Sequence, residues 1–207
     1  SGFKADKTDK GWVVHAENLG ELMRGLGEVV ATSEHHIKSV APMNFRAIML
    51  DVSRNGATKV EEIEKMMVRL SLLGMNAFCL YTEEMYEVAE EPLFGYGRGR
   101  YSKSDIKRLV EFSKKIGIEM FPCIQALGHM EQILKYPKYA NIKDNDFIYN
   151  VYSEETYAFI EKTIDEAMEP YDTNFVHIGM DETHGLGLGS AFKEGEPIYP
   201  RQIYVNH

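Results

Sequence analysis

Short apolar segments alternate with amphipathic segments along most of the chain. The apolar segments are rich in strand-forming residues and lie at residues 45–52, 75–81, 118–125 and 174–180. Between them, apolar residues recur every three or four positions, which predicts helices that bury one face. Strands and helices that alternate without hairpin signals form βαβ units around a parallel sheet. The pattern therefore predicts an α/β fold from Phe45 onward.

Two parallel architectures are compatible with this order of elements, a doubly wound open sheet and a (β/α)8 barrel. Long segments follow the predicted strands, whereas the returns from helix to strand are short, as in barrel enzymes with sites at the strand carboxyl ends. A complete barrel needs about 250 residues. Only four strands are predicted among the 207 residues of this chain. We therefore expect either an open α/β domain or half a barrel.

The segment before Phe45 predicts a single amphipathic helix, over residues 16–30. No second element is predicted to pack with it. We therefore expect residues 1–44 to be a tail and a helix that remain from an upstream domain. Residues 45–207 then form the α/β domain.

Composition narrows the class of protein. The chain is 44% hydrophobic and 27% charged, which is typical of a folded protein rather than a disordered one. Its net charge is -9, and no basic patch with interleaved aromatic residues is present, so no nucleic-acid partner is expected. No apolar run reaches the about 20 residues of a membrane span, and no signal-peptide pattern opens the chain. We therefore expect no membrane association and favour a cytoplasmic location.

Two cysteines, Cys79 and Cys123, lie inside apolar predicted strands. Their spacing is not that of a metal site, and buried cysteines in such runs are usually free thiols. We expect both to be reduced and buried.

An acidic pair follows the fourth apolar segment, in FVHIGMDETHGLG at residues 175–187. Parallel α/β folds place their chemistry at the carboxyl ends of strands, and Asp181 and Glu182 fall at such an end. Because adjacent strand residues point to opposite faces, we expect the two carboxylates to diverge. A protonated carboxyl beside an ionised one suits general acid catalysis. The alternative is that the pair only begins a solvated loop.

Other charged residues are expected at the same end of the sheet: Arg46, Asp51, Arg54, Glu83, Glu84 and His129. A metal site formed by His177, Asp181, Glu182 and His184 is conceivable, but their spacing is not that of a zinc motif. We therefore expect no metal. The segment GLGLGS at 185–190 lacks the lysine of a phosphate loop and follows two acids, so we expect no phosphate there.

Five segments in order resemble the family 20 glycoside hydrolases, the β-N-acetylhexosaminidases. HIGMDE resembles the family signature HIG-x-DE, and RAIMLDVSRN resembles the first-strand segment. The other three segments are LYTEEMYE, EPLFGYGRGRYS and ALGHMEQIL. Of these, EPLFGYGRGRYS resembles the corresponding segment in one bacterial branch of the family. The resemblance covers about residues 45–190. It implies a (β/α)8 TIM barrel, truncated here to about its first four β/α units.

The resemblance also implies a mechanism. Family members remove terminal β-linked N-acetylglucosamine or N-acetylgalactosamine with retention, and the substrate's own 2-acetamido oxygen attacks the anomeric carbon. At the matching positions of this sequence, the resemblance implies that Glu182 is the general acid and base and that Asp181 stabilises the oxazolinium-like intermediate. Arg46 is implied to bind ring hydroxyls, His129 to tune Glu182, and Glu83 to belong to the same network. No metal or cofactor is implied.

One departure from the family concerns the rest of its pocket. Later strands of the family supply a tyrosine and several tryptophans, whereas this sequence has one tryptophan, Trp12, ahead of the first predicted strand. We therefore expect little or no hydrolase activity from the chain alone, and self-association of the exposed half-barrel. The alternatives are a metal-dependent (β/α)-barrel lyase or aldolase, and a non-catalytic sugar-binding remnant.

Overall fold

An antiparallel sheet and a helix form the first part of the chain in a computed structural model that describes residues 1–54 and 56–207. The elements are β1 (Gly2–Thr8), β2 (Gly11–Ala16), α1 (Leu19–Ala31) and β3 (His36–Val40). Strand β1 lies in the middle and pairs antiparallel with both neighbours. The predicted helix is confirmed, but the expectation that the rest of residues 1–44 is a tail is wrong. An origin in an upstream domain stays a prediction.

A parallel sheet follows and carries the α/β part of the chain. Its strands are β4 (Ala47–Asp51), β5 (Ala77–Tyr81) and β6 (Glu119–Cys123), with β5 in the middle. Two helices, α2 (Val60–Leu72) and α3 (Lys103–Lys114), connect successive strands. They bury one face of the sheet through a core that includes Ile63, Met67, Phe78, Leu80 and Leu109. The predicted α/β fold is confirmed.

The fourth predicted strand, residues 174–180, joins the sheet only through a short bridge. The His177 N–H donates to the Pro122 carbonyl (3.0 Å), and the Ile124 N–H donates to the His177 carbonyl (2.9 Å). The segment is therefore parallel to the end of β6. Gly179 ends its extended conformation with a φ of 48°, and a Cβ there would lie 2.4 Å from the Ile124 carbonyl oxygen. The segment lies where expected, but it is not a regular strand.

The remaining elements are the four-residue helix α4 (Glu131–Leu134), a 3-10 helix (Pro137–Ile142), α5 (Glu154–Met168) and α6 (Pro200–Asn206). Helix α5 begins after Ser153, its N-cap residue. It packs against a core that contains Tyr86, Phe94, Ile124, Tyr149 and Ile160. No helix in the described part of the chain is long and apolar enough to cross a membrane.

The second face of the parallel sheet is less covered than the helix face. It carries a small cluster of Ala77, Cys79, Tyr81, Phe121 and Cys123, in which both cysteines are buried and free, as expected. Next to this cluster, the rings of Phe45 and Phe175 remain half-exposed, 6.0 Å apart between centroids. Within the described residues, β4 pairs only with β5. The parallel sheet is therefore open at β4.

Candidate active site

The carboxyl end of the parallel sheet brings four of the predicted residues together. His129 is buried, and its Nε2 lies 3.3 Å from Glu182 Oε2 and 3.5 Å from Asp181 Oδ2. Its Nδ1 lies 3.9 Å from Glu83 Oε1. Nε2 has no hydrogen-bond partner among the described residues. One imidazole is thus surrounded by three carboxylates and keeps an unsatisfied nitrogen.

Asp181 and Glu182 converge on His129, which contradicts the expectation that they diverge. Alternation to opposite faces requires extended backbone, whereas Glu182 has a left-handed φ of 51°. Their side chains are 61% and 60% exposed. Both carboxylates therefore remain accessible to a ligand while they contact a buried histidine.

Three of these residues share an unusual backbone conformation. Glu83, His129 and Glu182 have φ values of 46°, 57° and 51°, and Glu90 is the other non-glycine residue with positive φ in the described ranges. Each such conformation costs about 1–3 kcal/mol and is concentrated at functional sites. The backbone conformation therefore indicates a functional site at this end of the sheet, independently of the charged side chains.

A chain of polar contacts connects Asp181 with Glu83. Gln125 Nε2 donates to Tyr81 Oη (2.7 Å) and lies 3.3 Å from Asp181 Oδ1, and the Tyr81 hydroxyl donates to Glu83 Oε1 (2.9 Å). Burial raises the pKa of Tyr81, so this hydroxyl keeps its proton. Neither Gln125 nor Tyr81 was predicted from the sequence. The sequence feature that could have identified both is a polar side chain at the carboxyl end of a predicted apolar strand.

The electrostatic surroundings keep Asp181 ionised. Partial burial acts to raise its pKa, but the hydrogen bond from Gln125 and the nearby His129 outweigh burial, and the pKa lies below its usual value. Asp181 is therefore a carboxylate at neutral pH.

Arg46 lies at the opposite, amino end of the sheet, so its predicted place in the site is wrong. Its guanidinium donates to Glu21 Oε1 (2.8 Å), the Gly74 carbonyl (2.6 Å) and the Met43 carbonyl (2.6 Å). Because Arg46 precedes β4, the strand carries it away from the carboxyl end. All three guanidinium nitrogens of Arg46 already donate hydrogen bonds to protein acceptors.

Arg54 is the arginine at the carboxyl end of β4. Its Nε donates to Asp51 Oδ2 (2.6 Å), and its guanidinium carbon lies 5.0 Å from the centroid of the Tyr81 ring. The side chain is 54% exposed. Hydrogen bonds from Ser53 hold the same Asp51 carboxylate. Asp51 therefore fixes the orientation of the Arg54 guanidinium, and the rest of the guanidinium remains accessible to solvent.

Glu84 turns away from this group, although it is adjacent to Glu83. Its carboxylate is buried and lies 3.0 Å from Arg98 Nε. Burial raises the pKa of Glu84. Neighbouring glutamates thus have different surroundings.

His129, Asp181 and Glu182 also form a group that could hold a metal ion, since their ligand atoms lie within 4.8 Å of one another. This group differs from the one considered from the sequence. His177 does not belong to it, because its Nδ1 lies 3.1 Å from Cys123 Sγ, and neither does His184. One nitrogen and two exposed carboxylates are equally compatible with acid–base chemistry, and the absence of a metal stays a prediction.

Residues 43–189 match the model of the family described as "Glycosyl hydrolase family 20, catalytic domain". The chain therefore belongs to glycosyl hydrolase family 20, which confirms the resemblance.

Individual relatives agree with this assignment. Hexosaminidase D from Homo sapiens is 27% identical over 154 residues, which are 72% of this chain and 32% of that protein. Hexosaminidase D from Bos taurus is 26% identical over 170 residues, 79% of this chain and 49% of that protein. Because these relatives are mammalian, the bacterial origin suggested by one segment stays a prediction.

A solved structure shows the same fold. The GH20 beta-N-acetylhexosaminidase from Streptomyces coelicolor A3(2) matches with a TM-score of 0.80 and 20% identity, over 99% of this chain and 47% of that one. The chain thus spans about a third to a half of the length of these proteins.

Proposed function

We propose that this chain forms the first half of the (β/α)8 barrel of a retaining β-N-acetylhexosaminidase. The complete enzyme hydrolyses terminal β-linked N-acetylglucosamine or N-acetylgalactosamine. The observation that carries the proposal is the convergence of Asp181 and Glu182 on the buried His129, at the strand ends of a family 20 chain. In this family the 2-acetamido oxygen of the substrate replaces the enzyme nucleophile.

Glu182 acts as general acid and then as general base. Its carboxylate is accessible to a leaving oxygen and, on its other side, lies 3.3 Å from His129 Nε2. Glu83 lies near the opposite ring nitrogen of His129. This arrangement lets the charge on His129 and Glu83 adjust the readiness of Glu182 to release its proton.

Asp181 holds the acetamido group and stabilises the cation that forms from it. A low pKa keeps it ionised, and Gln125 fixes one of its oxygens. A preorganised charge that faces developing charge of the opposite sign lowers the barrier most effectively in a site with little water.

Arg54, rather than Arg46, binds the sugar hydroxyls. Of its guanidinium nitrogens, only Nε donates to another of the described residues, Asp51, so the terminal nitrogens can form forked contacts with a ligand.

The role of the acetamido group can be tested with two substrates that share a leaving group. The complete enzyme is assayed with a nitrophenyl N-acetyl-β-glucosaminide and with the nitrophenyl β-glucoside, which has a hydroxyl at C2. We expect at least about a thousandfold preference for the first, since an intramolecular nucleophile replaces a bimolecular step. Similar rates exclude substrate assistance. Cleavage of neither substrate, together with stabilisation by a divalent metal, supports a lyase or aldolase instead.

The 207-residue chain by itself is expected to have no measurable activity. Its sheet is open at β4, and a reacting group displaced by about 1 Å can cost about 100-fold in rate. Release of nitrophenol from the glucosaminide by the pure chain contradicts this expectation.

The open face also leads us to propose that the chain self-associates. Phe45, Met49 and Phe175 are half-exposed, and Met49 lies on β4, the strand with an unpaired edge. Exposed apolar residues and unpaired strand edges promote association. Sedimentation of the wild-type chain should show oligomers, and Met49→Glu should shift them towards monomer. A wild-type monomer at high concentration contradicts the proposal.

A further inference from the structure

The glycine-rich segment 185–191 binds a carboxylate of the same chain, the side chain of Asp144. The buried carboxylate of Asp144 accepts hydrogen bonds from the backbone N–H groups of Gly187 (2.8 Å), Gly189 (3.2 Å) and Ala191 (2.9 Å). Converging backbone N–H groups of this kind form an anion-binding nest. A Cβ at Gly189 would lie 1.7 Å from the Asp144 carbonyl oxygen, so only glycine fits there. The segment resembles a phosphate loop because it does hold a negative charge.

Asp144 lies on a short loop, residues 143–149, that also contacts His129; we call it the clamp loop. The ring of Phe147 in this loop is 5.0 Å from the His129 ring, centroid to centroid. The Met130 N–H donates to the Phe147 carbonyl (3.1 Å), and the Tyr149 N–H donates to the Leu127 carbonyl (3.1 Å). The clamp loop is therefore bonded to the chain on both sides of His129.

The nest in turn lies close to Glu182 along the chain. The His184 N–H donates to the Glu182 carbonyl (2.8 Å), and the Leu186 N–H donates to the Thr183 carbonyl (3.3 Å). This turn leads directly into the Asp144 nest at Gly187. One loop thus holds His129 through Phe147 and the segment after Glu182 through Asp144.

We propose that Asp144 is a positioning residue that fixes Glu182 relative to His129. It touches neither the substrate nor the reacting atoms, and the proposal of an effect on catalysis rests on the proposed function. The fixed contact is the 3.3 Å approach of Glu182 Oε2 to His129 Nε2, on a backbone that is itself strained at both residues. A strained arrangement persists only when its surroundings determine it, and the Asp144 nest supplies that constraint.

Hydrogen exchange of the 207-residue chain tests the nest without any assay of activity. In Asp144→Ala, the amides of Gly187, Gly189, Ala191 and His184 should exchange at least about tenfold faster, since a charge-assisted acceptor is lost. Amides of β5 should keep their protection. Added formate, a small carboxylate, should restore protection by occupying the empty nest. Asp146→Asn is the matched control, because Asp146 lies on the same loop with a side chain that is 94% exposed.

Unchanged exchange at these amides in Asp144→Ala overturns the proposal. So does an equal loss of protection throughout β5, or a loss that formate does not reverse, because either result indicates general destabilisation rather than a specific nest.

Kinetics of the complete enzyme test the effect on Glu182. Asp144→Ala should lower kcat about tenfold or more with little change in KM, because a displaced proton donor slows the chemical step and leaves binding intact. Formate should restore part of kcat, and Asp146→Asn should match the wild type. An unchanged kcat in Asp144→Ala overturns the proposal. If the wild-type enzyme cleaves no glucosaminide, the proposed function fails, and exchange of the His184 amide alone decides whether Asp144 positions this segment.

Discussion

The two ends of the parallel sheet use the same types of charged residue in different ways. At the amino end, Arg24 and Arg46 contact the buried Glu21 carboxylate with donor–acceptor distances of 2.6–2.8 Å. At the carboxyl end, His129 lies 3.3–3.9 Å from three carboxylates and keeps an unsatisfied nitrogen. Paired, buried charges mainly maintain the fold. At the carboxyl end, the exposed carboxylates of Asp181 and Glu182 remain available to a ligand.

Replacing one glutamate at each end should separate the two roles most clearly. In the complete enzyme, Glu182→Gln should lower kcat about 10²–10⁴-fold for substrates with poor leaving groups, because a general acid is lost. Its melting temperature should change little, since the side chain is exposed. Glu21→Gln should keep kcat in the folded protein but lower the melting temperature. If Glu182→Gln retained near-normal rates on a natural disaccharide, its assigned role would be wrong.

The two arginines of the first-strand segment form a second matched pair. Arg46→Ala removes one partner of the buried Glu21, which keeps its hydrogen bonds from Arg24, and should lower the free energy of unfolding by about 1.5–3 kcal/mol. Arg54→Ala should lower it by at most about 1 kcal/mol, because its ion pair with Asp51 is largely exposed.

The effect of these arginines on binding should be reversed. Arg54→Ala should raise KM of the complete enzyme about 10–100-fold, the loss expected for hydrogen bonds from a charged donor. Folded Arg46→Ala should have the wild-type KM. A raised KM in Arg46→Ala with a normal KM in Arg54→Ala would restore the original assignment of Arg46.

The amino end should also show its own pH dependence, which is the smallest of these effects. Burial acts to raise the pKa of Glu21, but hydrogen bonds from Arg24, Ser1 and Arg46 outweigh it, so the pKa lies below the usual 4.5. A lowered pKa in the folded state adds stability above the usual pKa, and this is lost as the pH falls through the folded-state value. The difference in melting temperature between wild type and Glu21→Gln should therefore shrink below pH 4.5. A constant difference contradicts this account.

The elements that could be predicted from the sequence are those with a strong, local pattern. Strand β5 is a continuous apolar segment and β6 is apolar after Glu119, and the residues that follow them, Glu83 and His129, fall at the carboxyl end by chain direction alone. The sheet of residues 2–40 was missed because its short strands alternate weakly and expose polar residues such as Lys4 and Lys38, which pair across β1 and β3.

The arrangement inside the site was less accessible to prediction. The left-handed φ of Glu182 depends on tertiary contacts, so its convergence with Asp181 on His129 is not encoded in a local pattern. The error over Arg46 had a different origin. Chain direction places Arg46 before β4 and Arg54 after it, but both arginines were expected at the carboxyl end of the sheet, and the resemblance then selected Arg46.

The central claim is that Asp181 stabilises a cation made from the substrate's own amide while Glu182 transfers the proton. The most direct measurement is the affinity of the complete enzyme for a thiazoline mimic of the intermediate, in wild type and in Asp181→Asn. We predict tight binding by the wild type and affinity at least about 100-fold weaker in Asp181→Asn, the size of effect expected for one preorganised group. Equal affinity in both proteins, or no binding by the wild type, would contradict the claim.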